Sequence, residues 1–221
     1  LRTAAYGADI TPNSLKERIL EAFPNAALYE AFGQTEMTAT AVLMKHQDAL
    51  RKEGSVGQPL SNVEIRVVDD HMHDVGVNEV GEIVYRGPGL FKGYYKNPEE
   101  TEKAFEGGWF HSGDLVRRDA EGFLYVVARR KDMIISGGEN IYSAEVEAVL
   151  RDNPKIREAA VIGVPDPKWG EAVKAFVVLE PNQSAGAEEI IGYCAENLAR
   201  FKRPKSVEFL SALPRSATGK V

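Results

Sequence analysis

The sequence predicts a mixed fold, α/β at its start and α+β at its end, with a run of short antiparallel strands between. Three observations lead there. Residues 1–50 alternate a helical apolar spacing with a short apolar run. Between Gly54 and Gly122, eleven glycines separate brief alternating segments, the texture of short strands and turns. After residue 131, helix-like and strand-like segments alternate again.

Taken in order, Thr11 stands where it can cap a helix, with Pro12 at the first helical position. Leu15, Ile19 and Phe23 then share one face and Pro24 ends the helix. A strand-like run at 28–34 leads into Gly33-Gln34-Thr35-Glu36. In the middle, Val63-Glu64-Ile65-Arg66-Val67 alternates, Ile83-Val84-Tyr85-Arg86 does so less strictly, and Phe123-Leu124-Tyr125-Val126-Val127 closes the run. A small antiparallel barrel or curled sheet is expected there. Further on, Ile134-Ile135 runs into Ser136-Gly137-Gly138, and Ser143 can cap a helix carrying Val146, Val149 and Leu150. Strands are expected at 159–163 and 173–179, a helix is marked by Ile190, Ile191, Cys194 and Leu198, and a last strand covers 207–210. The boundaries are therefore placed at 1–50, 51–130 and 131–221, the last part being large enough to be its own domain. Four consecutive charges at Arg129-Arg130-Lys131-Asp132, without Pro or Gly, suit a tight hinge. The sequence holds no internal repeat and no low-complexity stretch.

Composition excludes several classes. Asp and Glu number 33 against 27 Lys and Arg, a formal net charge of −6, which argues against coating nucleic acid. One cysteine, Cys194, rules out a disulfide scaffold and a cysteine-based zinc cluster, and its apolar helical position suits core packing. No apolar run approaches the roughly 20 residues of a membrane span. The start, Leu1-Arg2-Thr3-Ala4-Ala5, has neither an initiator Met nor a signal pattern, and reads as a piece cut from a longer, soluble, cytosolic chain. Arg200 to Val221 holds six basic residues and one acidic. That basic end could meet a polyphosphate, although a solvated surface accounts for the charge alone more readily.

Three segments are suited to chemistry. Gly33-Gln34-Thr35-Glu36 places a hydroxyl beside a carboxylate; the pair suits a phosphate and a Mg²⁺ held with it, and a helix cap explains it equally. In Gly108-Trp109-Phe110-His111-Ser112-Gly113-Asp114, the Asp after a glycine can accept both hydroxyls of a ribose, or stabilise a turn. Pro214-Arg215-Ser216-Ala217-Thr218-Gly219-Lys220 presents a lysine in a small-residue loop fit for a phosphate or developing anion, or is an exposed terminal loop. It is not a P-loop, since Pro214 stands where that pattern needs Gly and Val221 where it needs Ser or Thr. His71-Met72-His73 reads as a hairpin connection rather than a metal site. His111 and His46 have no partner at catalytic spacing.

In order along the chain, these segments resemble the adenylate-forming superfamily of acyl-CoA synthetases, luciferases and peptide-synthetase adenylation domains, and bacterial fatty-acyl-CoA ligases most of all. The resemblance rests on Ala31-Phe32-Gly33-Gln34-Thr35-Glu36, Gly54-Ser55-Val56-Gly57-Gln58-Pro59, Gly81-Glu82-Ile83 and Gly93-Tyr94-Tyr95-Lys96-Asn97-Pro98-Glu99. It continues through the Gly108 to Asp114 segment, Arg129-Arg130-Lys131-Asp132-Met133-Ile134, Ser136-Gly137-Gly138-Glu139-Asn140-Ile141 and the Pro214 to Lys220 loop.

The resemblance implies the end of a large adenylate-forming domain, an α/β remnant plus a small distorted β-barrel, followed by a small mobile α+β lid. It implies that Gly7-Ala8-Asp9 lies against adenine, that Thr35 touches phosphate and that Glu36 holds Mg²⁺. Asp114 and Arg129 would bind the ribose, Lys131 would be the hinge, and Lys220 would bridge the substrate carboxylate and the α-phosphate. Ser136, Gly137 and Gly138 would line a tunnel for coenzyme A. The implied partners are ATP, coenzyme A and a small carboxylic acid, fatty or related; a homo-oligomer stays open. Departures from the family pattern are the absence of its upstream phosphate loop, Ala128 where Gly or Asp commonly precedes the arginine, and Ser143 for a usual Pro. A relative passing its acyl-AMP to a carrier protein, a non-catalytic nucleotide-binding module and a structural interaction domain are the alternatives.

Overall fold

Strand β1 (Thr3–Gly7), helix α1 (Asn13–Ala22) and strand β2 (Ala27–Phe32) form a β–α–β unit in this computed structural model, which describes residues 1–7, 11–217, 219 and 221. β1 and β2 pair in parallel, from Thr3 opposite Ala27 to Gly7 opposite Ala31. The helix departs from expectation in two ways. Pro12 is itself the cap, in extended conformation, and its carbonyl accepts the N–H groups of Leu15 and Lys16; Thr11 is not the cap. Leu15 and Phe23 are exposed, whereas Lys16 is 1% exposed. The ammonium of Lys16 lies 3.3 Å from Glu30 Oε2 and donates to the Ala49 carbonyl at 3.2 Å. A satisfied charge, with Ile19 and Leu20 beside it, therefore faces inward where apolar periodicity points to Leu15 and Phe23. Strands β3 (Val42–Met44) and β4 (Gln58–Pro59) complete this sheet antiparallel, in the order β1-β2-β3-β4.

A second sheet follows, built from β5 (Glu64–Val68), β6 (Val80–Arg86), β7 (Phe110–Arg118) and β8 (Leu124–Arg129) in that order, with α2 (Pro98–Ala104) preceding β7. Tyr85, Phe110 and Val116 fill its core, and Phe91 packs edge-on to Phe110 at 5.5 Å. The sheet is open: β5 and β8 lie at opposite edges, so the expected barrel does not close. Four short strands are too few to enclose side chains of this size. His71-Met72-His73 is indeed the β5–β6 connection, where Asp69 Oδ1 accepts the N–H groups of His71 and His73.

The chain divides into two compact units, Leu1–Val127 and Ala128–Val221. The second contains β9 (Met133–Ser136), β10 (Glu139–Tyr142), α3 (Ser143–Arg151), β11 (Ile156–Asp166), β12 (Gly170–Leu179), α4 (Ala187–Asn197) and β13 (Ser206–Phe209). Its sheet runs β10-β9-β12-β11, with β13 parallel to β12. Val146 and Leu150 of α3 and Ile190 and Cys194 of α4 pack on Val161, Val173 and Val177, so both helices cover one face. Burial pushes the Cys194 thiol up, as befits a packing residue. Ser143 is the first helical residue, not the cap, and the Tyr142 backbone takes that place. No described helix is long and apolar enough to cross a membrane.

Candidate active site

Gly7 ends β1 and Phe32 ends the parallel β2, so Gly7 and the Gly33-Gln34-Thr35-Glu36 segment emerge side by side. The carboxyl ends of parallel strands are where open α/β sheets bind ligands. A side chain at Gly7 would collide with the Ala31 carbonyl, so only glycine allows β1 to end there. Ala8 and Asp9 lie outside the described residues.

Thr35–Met37 form a single 3₁₀ turn, and no side chain caps it, so a helix cap is not what Thr35 provides. The turn is held by the segment after β6. Thr38 Oγ1 donates to the Gly89 carbonyl, the Phe91 N–H donates to the Glu36 carbonyl at 2.8 Å, and the Tyr94 hydroxyl donates to Glu36 Oε1 at 3.1 Å. Partial burial and the Glu36 carboxylate together hold the Tyr94 phenol above its ordinary range. Gln34 Nε2 is buried and has no hydrogen-bond partner among the described residues. A carboxylate oxygen, an exposed hydroxyl and an unpartnered amide N–H on one turn fit a polyphosphate with a hard cation. Nearby on β1, burial and the charge of Glu30 push the Tyr6 phenol up to about 12.

Asp114 lies inside β7, which excludes a simple Asp-stabilised turn. Glu82 pairs with Leu115 and Val84 with His111, so Ile83 alone faces Ser112, Gly113 and Asp114 across the β6–β7 ladder. Two extra residues on β7 make a bulge, a device that re-aims side chains at sites. Gly113 takes φ +72° there. Ser112 Oγ accepts the Asp114 N–H at 2.9 Å and donates to the Ile83 carbonyl at 2.6 Å. Asp114 itself is 2% exposed. Trp109, just before the strand, is stacked by Arg86, whose guanidinium lies 4.2 Å from the ring centre.

Glu82 is the residue that sequence reasoning passed over. It is 4% exposed, and its carboxylate accepts the Gly113 N–H at 2.9 Å and meets His111 Nδ1 at 2.9 Å. His111 therefore has a partner after all, 29 positions away and across the ladder. The available signal was an acid inside the apolar strand Val80-Gly81-Glu82-Ile83-Val84-Tyr85.

The remaining expected site residues belong to the second unit. Arg129 is exposed, and Lys131 is exposed in a 3₁₀ turn, Arg130–Asp132. Gly137 and Gly138 form the two-residue loop between β9 and β10, with φ +63° and +86°, the positive values that twisted hairpins require. The Gly137 N–H donates to the Trp169 carbonyl at 2.8 Å, and a side chain at Gly137 would press into the Trp169 ring. Trp169 is 43% exposed, with the ammonium groups of Lys168 and Lys205 at 4.7 and 5.3 Å from its ring centre. In the terminal loop, Arg215 pairs with Glu158 at 2.8 Å and donates to the Gly219 carbonyl at 2.9 Å. Thr218 and Lys220 lie outside the described residues.

Residues 1–95 match the AMP-binding enzyme family and residues 145–220 match the AMP-binding enzyme C-terminal domain. The chain belongs to the AMP-binding, adenylate-forming enzymes. It is 41% identical over 221 residues to a feruloyl-CoA synthase of Amycolatopsis sp, covering 100% of this chain and 45% of that protein. To the long-chain-fatty-acid–CoA ligase FadD13 of Mycobacterium tuberculosis it is 43% identical over 199 residues, 89% of this chain and 39% of the relative. Among solved structures, o-succinylbenzoate CoA synthetase (MenE) of Bacillus subtilis, in complex with the acyl-adenylate intermediate OSB-AMP, superposes with a TM-score of 0.88 at 39% identity. That match covers 100% of this chain and 45% of the structure. The chain thus spans a little under half the length of the curated relatives it matches.

Proposed function

We propose that this chain is the C-terminal half of a cytoplasmic, AMP-forming acid–thiol ligase that activates a carboxylic acid with ATP and passes the acyl group to coenzyme A. The observation that carries the reading is the 3₁₀ turn with Thr35 and Glu36, beside Gly7 at the carboxyl ends of β1 and β2, with the unpartnered Gln34 amide on the same turn.

On this reading the Thr35 hydroxyl and the Gln34 amide donate to phosphate oxygens. Glu36 would hold Mg²⁺, which when bound offsets the charge of the phosphates. Gly7, with Ala8 and Asp9, lies along the adenine, and Asp114 and Arg129 take the ribose hydroxyls. The acid's carboxylate oxygen bonds to the α-phosphorus of ATP, the bond to the bridging oxygen breaks, and pyrophosphate leaves. Lys220 orients the two anions and offsets their repulsion. The thiol of coenzyme A then displaces AMP from the acyl carbonyl. Residues 131–221 act as the lid in this scheme and turn about Lys131 between the two steps. The Ser136-Gly137-Gly138 loop would border the thiol arm. The ring of Trp169 beside Gly137, flanked by two lysines, suits an aromatic, phosphorylated ligand such as coenzyme A.

Fatty acids are the proposed substrate class, supported by the likeness to FadD13; the feruloyl-CoA synthase likeness makes aryl acids the competing class. The test is product analysis by the full-length protein given ATP, coenzyme A and matched fatty and aryl acids. Fatty acyl-CoA with one AMP per thioester is expected. Aryl-CoA alone would replace the substrate class, and ADP in place of AMP would overturn the reaction.

A further inference from the structure

Two segments that the sequence sets 25 positions apart, Gly81-Glu82-Ile83 and Gly108 to Asp114, meet at one buried carboxylate. Glu82 Oε1 accepts the N–H of Gly113, at the apex of the β7 bulge, and Glu82 Oε2 faces His111 Nδ1 at the bulge's near end. The other ring nitrogen of His111 meets the Glu106 carbonyl at 3.2 Å, which ties the ring to the segment preceding β7. Ser112 closes the arrangement by bonding both the Asp114 N–H and the Ile83 carbonyl. On the β6 side, the three residues from Ser112 to Asp114 lack regular ladder partners, and these side-chain bonds join the bulge to β6 in their place.

We propose that Glu82, braced by His111, is a positioning residue that sets the bulge and thereby aims Asp114 at the ribose hydroxyls of the nucleotide. The inference rests on the ribose role of Asp114 given above. Glu82 touches no ligand in this scheme; it acts through the Gly113 N–H and the His111 ring. A carboxylate is the suited group because it offers one oxygen to each donor in a nearly dry site, where charge-assisted bonds are strong. Glutamine can still accept from Gly113 and meet the imidazole through its amide, whereas leucine can do neither.

The test compares binding of AMP and 2′,3′-dideoxy-AMP to the full-length protein, its Asp114→Ala, Glu82→Leu, Glu82→Gln and His111→Ala variants. Backbone hydrogen exchange at Gly113 is followed alongside. Wild type is expected to prefer AMP, and Asp114→Ala to lose that preference. Glu82→Leu should lower AMP affinity about ten- to a hundredfold, leave dideoxy-AMP binding unchanged and deprotect Gly113. Glu82→Gln should restore most of the preference, and His111→Ala should give an intermediate loss. Should Glu82→Leu fail to fold, the contrast between His111→Ala and Glu82→Gln decides. If Asp114→Ala removes the preference while the Glu82 and His111 variants keep it, the positioning role is overturned and the ribose reading stands. If Asp114→Ala keeps the preference, both are overturned.

Discussion

Glu36 and Glu147 show how differently two carboxylates are used. Glu36 is half-buried on the 3₁₀ turn and is bonded by the Tyr94 hydroxyl. Groups that orient a ligating carboxylate, the role proposed for Glu36, typically change metal affinity ten- to a hundredfold. Tyr94→Phe is therefore expected to raise the Mg²⁺ concentration for half-maximal adenylation by about tenfold, with little change in melting temperature. A lower melting temperature with an unchanged Mg²⁺ requirement would assign Tyr94 to packing. Glu147, on α3, accepts the Val161 N–H at 2.9 Å, and burial pushes its carboxyl up. A carboxyl raised in the folded state stabilises below its unfolded range, and that contribution is lost as pH rises through the folded value. Glu147→Gln keeps an acceptor for Val161 without the charge. Its melting temperature relative to wild type should climb as pH rises above the ordinary carboxylate range and level off once the Glu147 carboxyl of the folded state has ionised. A pH-independent difference would contradict the assignment. At this scale the motifs were legible as residue types, but the partner of His111 was not, because the ladder that joins it to Glu82 is a long-range pairing.

Among the elements, α1 is the one whose buried face was misread, and Lys16 explains why. Periodicity scores side chains by hydropathy, and it cannot register that Glu30 on β2 and the Ala49 carbonyl await an ammonium. Breaking a buried pair from one side strands a charge. Lys16→Met should destabilise the protein by about 3–5 kcal/mol, and adding Glu30→Met should recover most of it. Denaturant unfolding measures both, and equal destabilisation by the single and double variants would show that Lys16 acts by packing alone. The strands fared better. Val63–Val67 and Ile83–Arg86 announced β5 and β6 through alternation, whereas the β9–β10 hairpin at Gly137 and Gly138 was not among the expected elements. Missing from the sequence was closure: alternation reports which residues face inward, not whether edge strands meet, and the middle sheet stays open.

For the whole molecule, the mixed α/β and α+β class and the family were both legible, because eight motifs recur in one order along the chain and family likeness covers residues 1–95 and 145–220. The acid substrate was not, since no segment of the sequence carried a recognisable acyl pocket. The two half-reactions proposed for one site imply separable variants. Lys220→Ala in the full-length protein should lower adenylate formation by at least a hundredfold while leaving thioester formation from supplied acyl-AMP. Lys131→Pro, which stiffens the proposed hinge, should do the reverse. Equal losses in both steps for either variant would remove the role given to that residue. The most direct test of the central proposal is acid-dependent exchange between ATP and labelled pyrophosphate by the full-length protein, without coenzyme A. Exchange that needs the carboxylic acid but not the thiol is the expected result, because acyl-AMP forms before coenzyme A reacts. Exchange that is absent with every acid, or that needs coenzyme A, would contradict it.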